Sequence, residues 1–255
     1  MTKLPDGFLS APFAHRGLHD ARRDCIENSR SAFRAAIDAG YGIELDLQLS
    51  SDGHAMVFHD YELSRLTNAR GAIRTKSRDA LAKITLSGCD ETIPSLPEIL
   101  KLVAGRVPLL IELKDQDGAM GPDVGPLEQS TADALQNYTG PVAVMSFNPH
   151  SIAALAKLSP ATPRGLVSCR FLAEHWQLLN EKTRSYLREI PDYNRVNACF
   201  VSHRHDDLDN PRIAELKATG AAVICWTIRS HDEEIRARKV ADSITFEGYV
   251  AETTV

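Results

Sequence analysis

Four short runs of the chain carry side chains able to do chemistry. "GIELDLQLS" (42–50) reads as a strand with Ile43, Leu45, Leu47 and Leu49 on one face and Glu44, Asp46 and Gln48 on the other. A helix would set the two acids about 200° apart, too far round to share a ligand. "VPLLIELKD" (107–115) likewise puts Leu110, Glu112 and Lys114 on one side of a strand. Bare carboxylates side by side repel one another and are penalised for losing water, so a cation is expected between Glu44 and Asp46. With Glu112 added, the three acids form a hard oxygen donor set suited to one divalent cation, Mg²⁺ or Ca²⁺. The competing reading pairs Glu112 with Lys114 or Arg16 as a structural salt bridge.

"FAHRGLHD" (13–20) and "MVFHD" (56–60) supply His15 and His59, each at a strand end and each followed by a charged residue, Arg16 or Asp60. Two imidazoles beside one bound anion provide a general base and a general acid at neutral pH. Arg16 and Lys114 add the positive charge that a phosphodiester requires. His203 and His205, in "SHRHDD", follow another strand and are weaker candidates for lining the same mouth.

Positioning these groups requires a repeating strand–helix framework. Parallel strands are expected at 11–16, 42–48, 107–113, 141–147, 163–168, 198–202, 222–228 and 242–246, with amphipathic helices between most of them. "NSRSAFRAAIDAG" (28–40) reads as a helix capped by Asn28 or Ser29 and stopped at Gly40. "SLPE" (95–98) is a capping box. A longer helix is expected over 171–190, with Leu172, Trp176, Leu179 and Leu187 on its core face. "SSDG" is a tight-turn signal, which makes 54–59 the return arm of a hairpin rather than a parallel strand. Eight parallel strands plus one excursion are the count of a TIM (β/α)₈ barrel, with a small hairpin excursion after the second strand. Barrel enzymes build their sites at the C-terminal strand ends. With no long linker or repeat, residues 1–255 read as one domain. The Gly/Pro-rich run "KDQDGAMGPDVGP" (114–126) is expected beside the pocket, as its cap or as mobile surface.

Composition narrows the class further. The 255 residues are 43% hydrophobic, with a formal net charge of −5, so the chain lacks the basic face of a nucleic-acid binder. The clusters Arg22-Arg23 and Arg236-Ala237-Arg238-Lys239 read as solvated surface. Five cysteines with no CxxC pair fit a reducing compartment. The N-terminal residues lack the apolar core of a secretory signal, and no run approaches the ~20 apolar residues of a membrane span. A cytoplasmic protein without a membrane anchor is expected, and a homo-oligomer is compatible with the sequence.

Together these runs resemble the glycerophosphodiester phosphodiesterase family. "AHRG", "ENS", "GIELDLQLSSDGHAMVFHD", "IPSLPEIL", "LLIELK", "MSF" and "CWTIR" occur in the family's order from about residue 12 to residue 247. The resemblance implies a TIM barrel whose divalent cation is held by Glu44, Asp46 and Glu112. It implies His15 and His59 as the acid/base pair, Arg16 and Lys114 on the phosphate, and Phe147 and Trp226 along the pocket. The implied reaction cleaves a small-molecule glycerophosphodiester to sn-glycerol 3-phosphate and an alcohol. Three positions depart from the family pattern: Cys25-Ile26 where a proline is common, Arg229 where an Asn is common, and Glu247 where an Asp usually stands. Three other readings are a phospholipase C/D-type enzyme acting on lysophospholipids, a non-catalytic barrel that binds phosphate esters and a metal-independent sugar-phosphate isomerase. The first calls for an exposed apolar rim or an amphipathic anchor, neither of which is visible in the sequence, and the last does not require three inward carboxylates beside two histidines.

Overall fold

A computed structural model of the chain describes residues 2–20, 22 and 24–253. Arg23 lies outside them, whereas Arg22 is exposed and paired with Asp20. Eight parallel strands close into a barrel: β1 (Phe13–Ala14), β2 (Gly42–Leu49), β4 (Leu109–Leu113), β5 (Val142–Ser146), β6 (Arg164–Ser168), β7 (Phe200–Arg204), β8 (Ala222–Ile228) and β9 (Ser243–Phe246). Closure runs through β1, which pairs with β9 on one side and β2 on the other. The expected strands are all present, although β1 is far shorter than 11–16.

That shortness explains the hairpin. β1 covers β2 only at Gly42 and Ile43, so the far end of β2 would present an open edge. β3 (Ala55–Val57) folds back antiparallel and fills it, pairing Leu47 with Val57 and Leu49 with Ala55. The excursion is larger than a hairpin. It includes the short helix α2 (Arg78–Leu81) and has its own small core of Met56, Phe58, Leu63, Ile73, Leu81, Leu86 and Ile93. Ile26, at the first departure from the family pattern, joins that core.

The connecting helices are α1 (Arg30–Asp38), α3 (Leu96–Val103), α4 (Pro126–Leu135), α5 (Pro149–Leu158), α6 (Glu181–Arg188), α7 (Pro211–Ala218) and α8 (His231–Ala237). Ser29, not Asn28, caps α1 by accepting from the Ala32 N–H. The Ser95–Glu98 capping box opens α3 as expected. The 171–190 helix is a correction: only Glu181–Arg188 is helical. Phe171 adopts a left-handed backbone (φ 47°), and Asn180 caps a helix that begins after it. Residues 172–179 are therefore turns, Leu172 is exposed rather than core, and Trp176 is freed from any helix face.

Strand alternation separates two cores. Ile43, Leu45, Leu47, Leu109, Ile111 and Leu113 pack under the helices. Phe13, Leu110, Ala143, Met145, Val167, Phe200 and Ile224 fill the lumen, with Phe8 packed against them. Gly165 makes room for this layer, because a Cβ there would meet the Phe200 ring at 2.4 Å. The lumen floor is thus a packed layer of side chains rather than a pore.

Candidate active site

The polar layer rests on β2 and β4. Glu44, Asp46 and Glu112 are all buried, and Asp46 lies in direct register with Glu112. One carboxylate oxygen from each falls within 4.8 Å of the others. Lys114 Nζ reaches both Asp46 Oδ1 (2.8 Å) and Glu112 Oε1 (2.7 Å), and Arg16 Nε lies 3.4 Å from Asp46 Oδ2. The salt-bridge alternative is therefore present in the structure. It does not neutralise the cluster, since three carboxylates face two cations. Burial, reinforced by Asp46 and Glu112, pushes the Glu44 carboxyl well above the usual carboxylate range. Burial alone would raise Asp46 too, but Lys114, His59 and Arg16 hold it well below that range. The donor set fits Mg²⁺ or Ca²⁺.

The loop after β1 aims Arg16 and His15. Arg16 (φ 57°) and Gly17 (φ 83°) both take left-handed backbone, so the chain reverses directly after the strand. At Gly17 a Cβ would lie 2.8 Å from the Ala32 methyl, so glycine alone permits this close approach to α1. The turn directs the Arg16 N–H to Glu44 Oε2 (3.0 Å) and its Nη1 to Glu27 (2.7 Å).

Each imidazole has a carboxylate on Nδ1. His15 pairs with Glu247 Oε2 at 2.6 Å, and His59 with Asp60 Oδ1 at 2.6 Å. A ring held this way keeps Nε2 for substrate. Burial lowers the His15 pKa, with Glu247 pulling the other way. The His15 hydrogen bond holds Glu247 well below the ordinary range, helped by His19, whose Nε2 lies 3.8 Å away, and by Arg229. Burial would raise Asp60, but His59 and Arg65 carry it below. Arg65 also grips Glu27, so Arg16, Glu27, Arg65, Asp60 and His59 form one charged chain.

The nine residues singled out from the sequence converge. His15, Arg16, Glu44, His59, Glu112, Lys114, Phe147 and Trp226 line one cavity of about 330 Å³, with Asp46 buried beside it. Phe147 and Trp226 meet edge to face at 5.5 Å while also packing on the lumen core. His205 lines this cavity; His203 does not. His203 is fully buried between Ser168 Oγ (2.7 Å) and Asp207 Oδ2 (3.0 Å), tying β6 to the turn that presents Arg204 and His205 to the cavity.

Sequence reasoning missed several supporting residues. Asn28, left-handed and buried, donates to Asp46 Oδ2 (2.9 Å), and Gln48 donates to the His59 carbonyl (2.9 Å). The two departures at 229 and 247 are partners: Arg229 Nη2 lies 2.6 Å from Glu247 Oε1, so the carboxylate behind His15 is itself held. Tyr61 lines a neighbouring pocket and is exposed, as are Leu172 and Leu178 elsewhere on the surface.

Acids, imidazoles and cations gathered at the C-terminal mouth of a barrel define the class: barrel enzymes that process anions. Residues 15–243 match the Glycerophosphoryl diester phosphodiesterase family. A glycerophosphodiester phosphodiesterase of Caldanaerobacter subterraneus is 32% identical over 175 residues, covering 65% of this chain and 69% of that protein. Another, from Bacillus subtilis, is 28% identical over 216 residues, covering 76% and 71%. An Oleispira antarctica phosphodiesterase, solved with its product sn-glycerol-3-phosphate, shares the fold with a TM-score of 0.77 at 23% identity over 94% of each chain. The chain belongs to the glycerophosphoryl diester phosphodiesterase family. It is an enzyme of that class, a phosphoric diester hydrolase acting on glycerophosphodiesters. Among the described residues, no helix is long and apolar enough to cross a membrane.

Proposed function

We propose that this enzyme is a divalent-metal-dependent glycerophosphodiester phosphodiesterase that releases sn-glycerol 3-phosphate and an alcohol by His15/His59 acid–base catalysis. The observation that carries the proposal is the convergence of Glu44, Asp46 and Glu112 in a cavity flanked by two imidazoles, each with Nδ1 on a carboxylate. Glu44, Asp46 and Glu112 would hold Mg²⁺ or Ca²⁺, which when bound offsets phosphoryl charge and lowers the pKa of a nearby hydroxyl. Arg16 and Lys114, held at this spot by their contacts to Asp46 and Glu112, bind the phosphate oxygens. One imidazole accepts the nucleophile's proton at Nε2, and the other gives its proton to the departing alkoxide. The Phe147–Trp226 corner excludes water from one side of the substrate. The substrate is a small molecule and the location cytoplasmic, a reading supported by five free thiols. Residues 1–255 act as one barrel domain.

The test is a coupled assay of glycerol 3-phosphate release across glycerophosphodiesters carrying choline, ethanolamine, glycerol or inositol. Activity should vanish after EDTA treatment and return with Mg²⁺ or Ca²⁺. Full turnover by EDTA-dialysed enzyme would exclude the metal reading, and no turnover of any substrate would exclude the reaction.

A further inference from the structure

The catalytic cavity has an acidic wall and a basic wall. Its lining acids, Glu44 and Glu112, come from β2 and β4, where Lys114 and Arg16 also sit through their contacts to Asp46. In the closed strand order β7 and β8 stand four strands away from β2 and β4, directly across an eight-stranded barrel. The ends of those two strands contribute Arg204, His205 and Arg229 to the same cavity, and among the described residues no acid joins them in lining it there.

The strand pattern aims this wall. Phe200 fills the lumen, so Ser202 and Arg204, two and four residues on, face inward as well. His203 faces the other way and is clamped between Ser168 Oγ (2.7 Å) and Asp207 Oδ2 (3.0 Å), while Arg170 Nε holds the same Asp207 at 2.8 Å. The turn that carries Arg204 and His205 is thus fixed from behind. Asp206, 3.0 Å from Arg204 Nε, is exposed and does not line the cavity. An exposed pair of this kind is weak, so Arg204 can take another anion at little cost. Arg229 is paired with Glu247, which also lies behind the wall.

A phosphodiester carries one negative charge, and the proposed reaction meets it on the β2/β4 side. The basic wall opposite is left for what the phosphate is esterified to. The glycerol half of the substrate is uncharged, so a second anion comes from the headgroup. We propose that Arg204, His205 and Arg229 form an anion subsite across the barrel from the phosphate, so that the preferred glycerophosphodiesters carry a carboxylate or a phosphate on their headgroup. This specificity rests on the phosphodiesterase reading above and adds no chemical step to it.

The test measures kcat/KM of metal-loaded enzyme for glycerophosphoserine and glycerophosphoethanolamine, which differ by one carboxylate. Serine should be favoured by about tenfold or more, the equivalent of one charge-assisted hydrogen bond. Arg204→Gln should bring the ratio close to one, and Arg204→Lys, which keeps the charge, should retain part of it. Arg229→Gln is read by the same ratio, because Arg229 also holds the carboxylate behind His15. Glycerophosphoinositol phosphate against glycerophosphoinositol repeats the comparison with a phosphate in place of the carboxylate. A gain in either arm supports the subsite and names its anion. A parallel titration of wild-type enzyme with O-phosphoserine and O-phosphoethanolamine, read by tryptophan fluorescence, needs neither variant nor turnover, and phosphoserine should bind more tightly. Equal cleavage and equal binding within each pair would overturn the proposal and leave the phosphodiesterase reading intact. A preference that survives in both Arg204→Gln and Arg229→Gln would overturn it too, because the anion would then be read elsewhere. Tighter phosphoserine binding with no diester cleaved would uphold the subsite and sink the reaction.

Discussion

Glu247→Gln isolates what the carboxylate does for His15. The substitution keeps side-chain length and an oxygen acceptor but removes the charge that faces Nδ1 at 2.6 Å. A hydrogen bond to a charged partner is worth about 1.5–3 kcal/mol net. If His15 must become an imidazolium during turnover, that loss falls on the transition state. At about 1.4 kcal/mol per tenfold in rate, kcat should drop about 10- to 150-fold. The pH profile supplies an independent readout. Burial already lowers the His15 pKa and Glu247 opposes it, so removing the charge moves the limb governed by His15 to lower pH. The direction is the same whether His15 serves as base or acid. Arg229→Ala calibrates the effect. Arg229 is largely exposed, and an exposed ion pair contributes about 0–1 kcal/mol, so kcat should fall less than about fivefold. Both variants would be assayed by glycerol 3-phosphate release from pH 5 to 9. A Glu247→Gln enzyme with kcat within twofold of wild type and an unmoved limb would refute the positioning argument, as would Arg229→Ala proving the more damaging change.

His59→Ala should reduce kcat by about 10²- to 10⁴-fold. Its thermal melting should shift by no more than about 4 °C, the equivalent of roughly 1 kcal/mol in a chain this size. Gly165→Ala should destabilise the fold by about 1–3 kcal/mol in urea denaturation, because the new methyl overlaps the Phe200 ring; Phe200→Leu in the same chain should restore part of the loss. Stability should fall as pH drops below about 6.5. There an unfolded His203 takes a proton that the buried one, lowered by desolvation against the pull of Asp207, still refuses. His203→Asn should flatten this slope, and an unchanged melting curve across pH 5.5–7.5 would exclude His203 as its source.

The barrel was legible because parallel strands impose local alternation. Glu44, Asp46, Glu112 and Lys114 declare their inward face within nine-residue windows, and register then places Asp46 beside Glu112. What failed was local in a different way. Leu172, Trp176, Leu179 and Leu187 have helical spacing, but Phe171 in a left-handed conformation and the Asn180 cap override it. Leu172, read as core, is exposed for the same reason, because its segment is not a helix.

The partners of the reactive groups depend on closure, which no local pattern encodes. Residues 15 and 247 are 232 positions apart and meet because β1 pairs with β9. A two-residue β1 leaves its next residues free to turn, so His15 and Arg16 leave the strand at the point where β9 delivers Glu247. The same brevity exposes the edge of β2 that β3 must cover, and covering it returns the chain with His59 to the cavity that the acids line. Both imidazoles therefore owe their positions to one short strand. Arg229 and Glu247, which look like separate departures in the sequence, act as a pair only at that seam, where an Arg replacing a neutral residue can hold a carboxylate one methylene longer than Asp.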